Sequence, residues 1–174
     1  MLPILLALAF IAILFIIVLV GQPTDFSLSR SAKMSAPREN IFPHVNDLHN
    51  WEAWSPWAKL DPNARHEFAG AASGQGAVMS WAGNNQMGVG KMTITESRPS
   101  ESVRFRLEFE KPMKATNLAE FTFRPDAGGT LVTWAMSGKN NFMMKLFGLF
   151  VNCDRMLGCQ FEKGLASLRG IVER

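Results

Sequence analysis

The chain contains no tyrosine, three histidines and two cysteines among its 174 residues. The absence of tyrosine excludes a phenol as a general acid. His44 and His49 are five residues apart in a predicted helix and do not share a face well, so neither a metal site nor an acid–base pair is expected there. Ser55 and Ser80 have no evident base partner, and no helix follows the glycine-rich stretches, as a phosphate-binding loop requires. The sequence therefore shows no catalytic constellation and predicts neither a metal nor a cofactor.

The chain also lacks a run of basic residues, although its formal net charge is +3. Lysines and arginines alternate with acidic residues, as in VRFRLEFEK, so a nucleic-acid partner is not expected. Cys153 and Cys159 are six residues apart in one predicted helix and face different directions, so a disulfide between them is not expected. The cysteines thus give no indication of the redox compartment.

Residues 1–20, MLPILLALAFIAILFIIVLV, form a long hydrophobic run without charge. Twenty helical residues rise about 30 Å, roughly the hydrocarbon core of a bilayer, so residues 1–21 are expected to be a transmembrane anchor. A cleavable signal peptide is the alternative, but no Lys or Arg precedes the run and VLVGQPTDF offers no A-x-A-like site. Arg30, Lys33 and Arg38 follow the run, which favours a cytoplasmic domain but leaves the side open.

Residues 22–174 are expected to form one domain, since about 150 residues can enclose a single core. The pattern predicts a strand over 26–34 and then a helical layer. Trp51 and Trp54 are predicted to share one face of a short helix that ends near Ser55, because Pro56 disfavours helical angles in the residue before it. These two tryptophans are expected to face inward and close one end of the domain.

From residue 65 onward the hydrophobic period changes to two, which predicts a run of short antiparallel strands. The clearest is SVRFRLEFE, with one apolar and one charged face. Aligning the apolar faces of neighbouring strands gives a register. The predicted cross-strand pairs are Phe105 with Phe121, Leu107 with Ala119, Val132 with Phe123, and Trp134 with Phe121.

The chain is predicted to end in one long helix from about Asn141 to the C-terminus. Its apolar stripe comprises Phe142, Leu146, Leu149, Cys153, Met156, Leu157, Phe161, Leu165, Leu168 and Val172. A stripe of this kind packs on a sheet, and glycines in the helix, each costing about 1 kcal/mol relative to Ala, suggest close approach at some positions.

Residues 140–151, NNFMMKLFGLFV, are apolar nearly all round. Burial within the domain is expected for the extra face; a cavity wall, gate, dimer contact or bilayer contact are the alternatives.

Three groups of motifs carry a resemblance to a known family. They are the strand, helix and corner SRSAKMSAPRENIFPHVNDLHNWEAWSPW, the segment GQGAVMSWAGNNQMGVGKMTI, and the pair FEKPM and TLVTWAM. In these the chain resembles the START-like helix-grip (SRPBCC) superfamily, in particular its polyketide cyclase/dehydrase-like members. The resemblance implies an α+β fold in which a curved antiparallel sheet wraps around a long C-terminal helix.

The resemblance further implies a cavity between the sheet and the terminal helix that accepts an apolar ligand. Asn117, a polar residue among aromatics, could orient such a ligand, unless a neighbouring backbone group satisfies it. The candidate ligand-binding residues are Trp54, Trp81, Phe105, Phe109, Asn117, Phe121, Trp134, Met136, Leu149 and Cys153.

We expect a membrane-anchored domain that binds or carries a hydrophobic small molecule or lipid; the oligomeric state stays open. A cyclase or dehydratase acting on an apolar, polyketide-like substrate and a non-binding interaction module with a collapsed cavity are the alternatives.

Overall fold

The computed structural model describes residues 2–140, 142–149 and 153–174. The strands are β1 (Asp25–Met34), β2 (Arg65–Gly70), β3 (Ala77–Ala82), β4 (Val89–Arg98), β5 (Ser102–Lys111), β6 (Ala115–Asp126) and β7 (Gly129–Lys139). The helices are α1 (Leu2–Val20), α2 (Arg38–Asn46), α3 (Trp51–Trp54), α4 (Phe142–Gly148) and α5 (Cys153–Val172). A 3₁₀ turn, Leu48–Asn50, connects α2 to α3.

Within these described ranges, seven strands form one antiparallel sheet in the order β1-β7-β6-β5-β4-β3-β2. Consecutive strands from β2 to β7 are neighbours, and β1 adds to the free edge of β7. The helix α5 packs chiefly against β1 and the α2–α3 layer, on the inner face of the sheet. The arrangement confirms the predicted α+β helix-grip fold, with a C-terminal helix held by a curved antiparallel sheet.

The register between β6 and β7 is the predicted one, since Trp134 pairs with Phe121 and Val132 with Phe123. The register predicted between β5 and β6 is wrong by two residues. Phe105 pairs with Ala119 rather than with Phe121, and Leu107 pairs with Asn117 rather than with Ala119. A slip of two residues keeps every side chain on the same face, so the apolar pattern does not detect it. The last paired residues are Phe109 and Ala115, so residues 110–114 connect the two strands, and moving this connection by one residue gives the other register.

The prediction of one continuous terminal helix is also wrong. α4 ends at Gly148 and Leu149 lies in a turn, before α5 begins at Cys153. Glycine is a poor helix former, which is consistent with an end at that position. The stripe is confirmed for Phe161, Leu165 and Leu168, which are buried, whereas Phe142 and Met156 are exposed.

The extra apolar face predicted for residues 140–151 is described only at Met144, which is half-buried. Met144 lines the main cavity of the domain, which is one of the alternatives considered for this segment. Asn141, residues 150–152 and the side chains of Met143, Phe147 and Cys153 lie outside the description.

The helix α1 coincides with the predicted N-terminal apolar segment, and most of its described side chains are exposed. No helix in the described part of the chain has both the length and the hydropathy needed to cross a membrane.

The corner that follows α2 packs into the core as predicted. Trp51 and Trp54 are buried, and their indole N–H groups donate hydrogen bonds of 2.9 Å to the carbonyl oxygens of Val45 and His44. Ser55 leaves the helix in an extended conformation before Pro56. Both indoles are therefore fixed by polar as well as apolar contacts, in agreement with an inward-facing role.

Candidate functional site

A cavity of about 360 Å³ lies between the inner face of the sheet and the helices. Its volume falls in the range of ligand pockets, about 300–1,000 Å³. Most of its lining is apolar. The apolar lining residues are Leu48, Trp51, Trp57, Ala58, Phe68, Met79, Trp81, Met87, Met92, Leu107, Phe109, Pro112, Met113, Ala115, Ala119, Trp134, Met136, Met144 and Leu157.

The cavity exists because the sheet extends beyond the helix that it holds. At the β1 and β7 side, α5 lies directly on the sheet, where the Phe161 ring stacks on Trp134 with centroids 4.1 Å apart. Arg30 on β1 ties the two layers together, with 3.2 and 2.9 Å ion pairs to Asp154 and Glu162 on α5. α5 does not pack closely on the inner face of β2 to β5. The α2–α3 layer covers part of that face, including Phe105, and the remaining side chains line the cavity.

One row of paired residues crosses this open part of the sheet. The Cα partners in the row are Phe68, Met79, Met92, Leu107, Asn117, Gly138 and Phe26, one from each strand. Four of them are apolar residues that line the cavity. Two are methionines, whose flexible thioether side chains adapt to irregular ligands.

Of the predicted ligand-binding residues, Trp81, Phe109, Asn117, Trp134 and Met136 line the cavity. Trp54, Phe105 and Phe121 face inward too, but they are fully buried in the core and do not line it. Leu149 lies in the turn after α4 and does not line it either, and the side chain of Cys153 lies outside the description. The structure thus brings half of the set together around one volume, while the core residues act through packing.

Apart from Trp81 on β3, sequence reasoning missed the part of the cavity formed by β2, β3 and β4. Phe68, Met79 and Met92 line the cavity on these strands, and Met87 does so from the β3–β4 turn. The alternation in GKMTITES already placed Met92 on one face of its strand together with Ile94. The sequence did not indicate that α5 leaves these strands uncovered.

Two polar atoms of the cavity wall have no hydrogen-bond partner among the described residues, namely Asn117 Oδ1 and Trp134 Nε1. Asn117 is 6% exposed and Trp134 is 2% exposed. The Nδ2 of Asn117 lies 3.8 Å from the thioether sulfur of Met136, a weak acceptor. The alternative that a backbone group satisfies Asn117 is therefore wrong.

Ionisable groups also line the cavity, and those of the described chain are His49, Glu52, His66 and Lys111. The Nδ1 atom of His49 lies 2.8 Å from Oδ1 of Asp47, and the same carboxylate oxygen accepts the backbone N–H of His49 at 3.0 Å. No cluster of His, Cys, Asp and Glu suited to a metal ion occurs in the part of the chain described. The site is thus an apolar volume with a polar border and two unpaired buried groups.

An antiparallel sheet that holds a C-terminal helix beside an apolar cavity is the architecture of a small-molecule-binding helix-grip domain. A family model described as polyketide cyclase / dehydrase and lipid transport matches residues 25–173. The chain belongs to this family. A search of curated protein sequences gave no significant match.

Solved structures share the fold at low sequence identity. Protein CV1439 from Chromobacterium violaceum is 16% identical with a TM-score of 0.60, covering 88% of this chain and 99% of its own. The Aha1 dimer from Colwellia psychrerythraea is 16% identical with a TM-score of 0.58, covering 85% and 96%. The di-domain ARO/CYC protein BexL from the BE-7585A biosynthetic pathway is 10% identical with a TM-score of 0.62, covering 91% of this chain and 53% of its own. Identities this low support the fold alone.

Proposed function

We propose that the domain binds a hydrophobic small molecule or lipid in the cavity between the sheet and the helices, without changing it chemically. The observation that carries the proposal is the 360 Å³ volume with a predominantly apolar lining. A domain with a collapsed interior, one of the alternatives, would not have such a volume. The lipid transport in the family description is consistent with the proposal.

Filling the cavity tests the proposal. Ala119 lines the cavity from strand β6 and is buried, so Ala119→Phe adds a ring where the ligand is expected. Ala166→Phe is the matched control, because Ala166 is an exposed position on α5 outside the lining. The full-length protein is reconstituted in phosphatidylcholine nanodiscs and titrated with 2-naphthol. Quenching of tryptophan fluorescence reports binding, since Trp51, Trp81 and Trp134 line the cavity.

We expect saturable quenching in the wild type and in Ala166→Phe, and only the linear background of bilayer partitioning in Ala119→Phe. Circular dichroism and a thermal melt establish that each variant is folded. Identical titrations of wild type and a folded Ala119→Phe protein would contradict binding in this cavity.

We further propose that residues 1–20 attach the domain to a membrane and that the domain faces the cytoplasm. Support comes from the absence of charge in this segment and the exposure of apolar side chains such as Ile4 and Phe10. Lys145 of α4 donates a 2.9 Å hydrogen bond to the carbonyl oxygen of Gln22, which brings α4 beside the end of this segment. The exposed Phe142 on the same helix would then lie near the bilayer surface.

Membrane attachment is tested by carbonate extraction of cell membranes, and the side by protease digestion of intact and opened cells. Ile11→Arg places a charge in the middle of the segment, which costs about 2.5–3.5 kcal/mol on insertion scales. We expect the wild type to stay in the membrane pellet and the variant to be partly released. Full release of the wild type by carbonate would contradict an integral anchor.

An enzyme that acts on an apolar substrate by acid–base chemistry is the second candidate. The observation that favours it is the 2.8 Å contact between Asp47 and His49, because a carboxylate that orients a cavity-lining imidazole is a common general-base arrangement. The same carboxylate, however, also caps the 3₁₀ turn at Leu48–Asn50, which gives it a structural role. A ligand recovered with unchanged mass and unchanged chromatographic retention after prolonged incubation with the protein favours binding. Loss of water that stops in His49→Gln favours the enzyme.

A further inference from the structure

Asn117 lies at the centre of the sheet, in a row of apolar neighbours. Its Cα partners are Leu107 on β5 and Gly138 on β7. A side chain at position 138 would collide with the Asn117 amide oxygen, so the glycine leaves room for the amide. The amide is thus accommodated in the floor of the cavity and is shielded from solvent.

Burial of an amide without a hydrogen-bond partner is unusual. More than nine-tenths of buried polar groups in proteins are paired, because a group that loses water without replacing its hydrogen bonds destabilises the folded state. Asn117 Oδ1 has no partner in the described chain, and its Nδ2 has only the sulfur of Met136. A leucine at this position would have filled similar space without that cost. The amide therefore requires an explanation outside the packing of the domain.

The other tryptophans of the cavity region provide an internal comparison. The indole N–H groups of Trp51 and Trp54, on the helical side, both donate to backbone carbonyls at 2.9 Å. The indole N–H of Trp134, on the sheet side, has no acceptor among the described residues. Trp134 pairs with Phe121, four residues along β6 from Asn117, which places the two residues about 13 Å apart along the strand. Both unpaired groups thus belong to the sheet wall of the cavity, in different places.

We propose that Asn117 is a specificity-determining residue and that the cavity prefers an apolar ligand carrying a hydroxyl group, which hydrogen-bonds to this amide. A hydroxyl both donates and accepts, so it satisfies the amide whichever of its polar atoms faces the ligand. A hydrocarbon of the same shape buries the amide without a partner and binds less tightly. Trp134, a donor only, offers a second contact to an oxygen elsewhere on the ligand. The inference rests on the proposed binding function.

The test compares two probes of nearly equal size, 2-naphthol and 2-methylnaphthalene, which differ by a hydroxyl in place of a methyl group. Full-length wild type, Asn117→Leu and Trp134→Phe are titrated in the same phosphatidylcholine nanodiscs. The Ala119→Phe protein supplies the partitioning background for each probe. For the wild type we expect about tenfold tighter binding of 2-naphthol, the worth of one well-placed hydrogen bond in a buried site.

Asn117→Leu is expected to remove this preference while leaving the affinity for 2-methylnaphthalene equal or higher. Its urea midpoint without probe is expected to be no lower than that of the wild type, because an unpaired buried amide has been replaced by an apolar group. Trp134→Phe is expected to retain the preference.

Three results overturn the inference. A folded wild type that binds both probes equally leaves the binding function intact but removes the role of Asn117. A preference that survives Asn117→Leu and disappears in Trp134→Phe assigns selectivity to the indole instead. A lower urea midpoint for Asn117→Leu with an unchanged preference makes Asn117 a structural residue. If the wild type binds neither probe above the Ala119→Phe background, the proposed function itself fails for this class of ligand. Since the preference is measured on the wild type first, a variant that does not fold leaves that measurement intact.

Discussion

The close packing of α5 on the sheet can be tested by a substitution at Gly164. A Cβ atom built there would lie 2.8 Å from Cζ3 of Trp134 and 3.1 Å from Cδ of Pro56. Neither neighbour is the end of a flexible chain, since Trp134 is stacked between Phe161 and Phe121. Gly164→Ala therefore forces two rigid rings to move.

Overpacking of this kind costs about 1–3 kcal/mol, while replacing a helical glycine by alanine contributes about 1 kcal/mol in the opposite direction. The net expectation is a loss of about 0–2 kcal/mol. Gly170, six residues later in the same helix, is exposed and has no atom within 4 Å of the site of its Cβ. Gly170→Ala is thus the matched control, with a gain of up to about 1 kcal/mol.

The free energy of unfolding of each full-length variant is measured by urea denaturation, followed by circular dichroism at constant lipid background. We expect the two alanine variants to differ by about 1–3 kcal/mol in favour of Gly170→Ala. A domain of this size changes its Tm by about 2–4 °C per kcal/mol, so a thermal melt resolves the same difference. Equal stabilisation by both substitutions would refute the close packing of α5 on Trp134.

Two further substitutions test single contacts. Thr130→Val removes the buried 2.8 Å hydrogen bond from Thr130 Oγ1 to the carbonyl oxygen of Ala36 and is expected to lower the free energy of unfolding by about 1–2 kcal/mol. Thr116→Val, at an exposed position, is the control and is expected to change the free energy of unfolding little. Equal urea midpoints for the two variants would contradict this expectation. The 3.2 Å ion pair with Lys33 lowers the pKa of Asp126. The contribution of this ion pair to stability is therefore present above the ordinary aspartate pKa, near pH 4, and is lost as the pH falls through the lowered pKa. Lys33→Met is expected to raise the pKa of Asp126 in a carboxyl NMR titration, and an unchanged value would show that the pair does not persist in solution.

The sequence was sufficient to predict the strands, the short tryptophan helix and the buried faces of the central strands. The six strands after the tryptophan corner and the inward faces of β5, β6 and β7 follow from strict alternation of apolar and polar residues. The short helix at Trp51–Trp54 follows from the position of Pro56. These features depend on contacts between residues close in sequence, and local patterns record such contacts.

Features that depend on lengths and positions in space were not predictable in the same way. The two-residue slip between β5 and β6 preserves the buried faces, so only the position of the connection, residues 110–114, distinguishes the two registers. The exposure of Phe142 and Met156 depends on where the sheet ends beneath the terminal helices. An apolar period in a helix predicts a buried stripe but does not give the length of the surface that covers it.

The same limit explains why Trp54, Phe105 and Phe121, which were predicted to contact the ligand, lie in the core instead. Phe105 and Phe121 face inward, as the alternation of their strands predicts, but helices and aromatic rings cover them completely. Trp51 packs edge-on against both rings, with centroids 5.3 and 6.0 Å away. An inward-facing residue becomes a core residue or a cavity residue according to what lies above it, which is a property of the tertiary arrangement.

The division between solid core and cavity gives the fold its capacity to combine stability with binding. Where α5 lies on the sheet, the rings of Trp134 and Phe161 stack at 4.1 Å, and close packing of large aromatic groups supplies most of the apolar burial there. Where the sheet continues beyond α5, Met79, Met92 and Leu107 keep their inward orientation but lack a covering helix. Met92 is already buried, whereas Met79 and Leu107 are half-buried, and these two gain further burial when an apolar ligand occupies the volume. Ligand binding should therefore protect the amides of β3 to β5 from hydrogen exchange more than those of β1 and β7, and uniform protection over the whole sheet would show that the two regions are not separate.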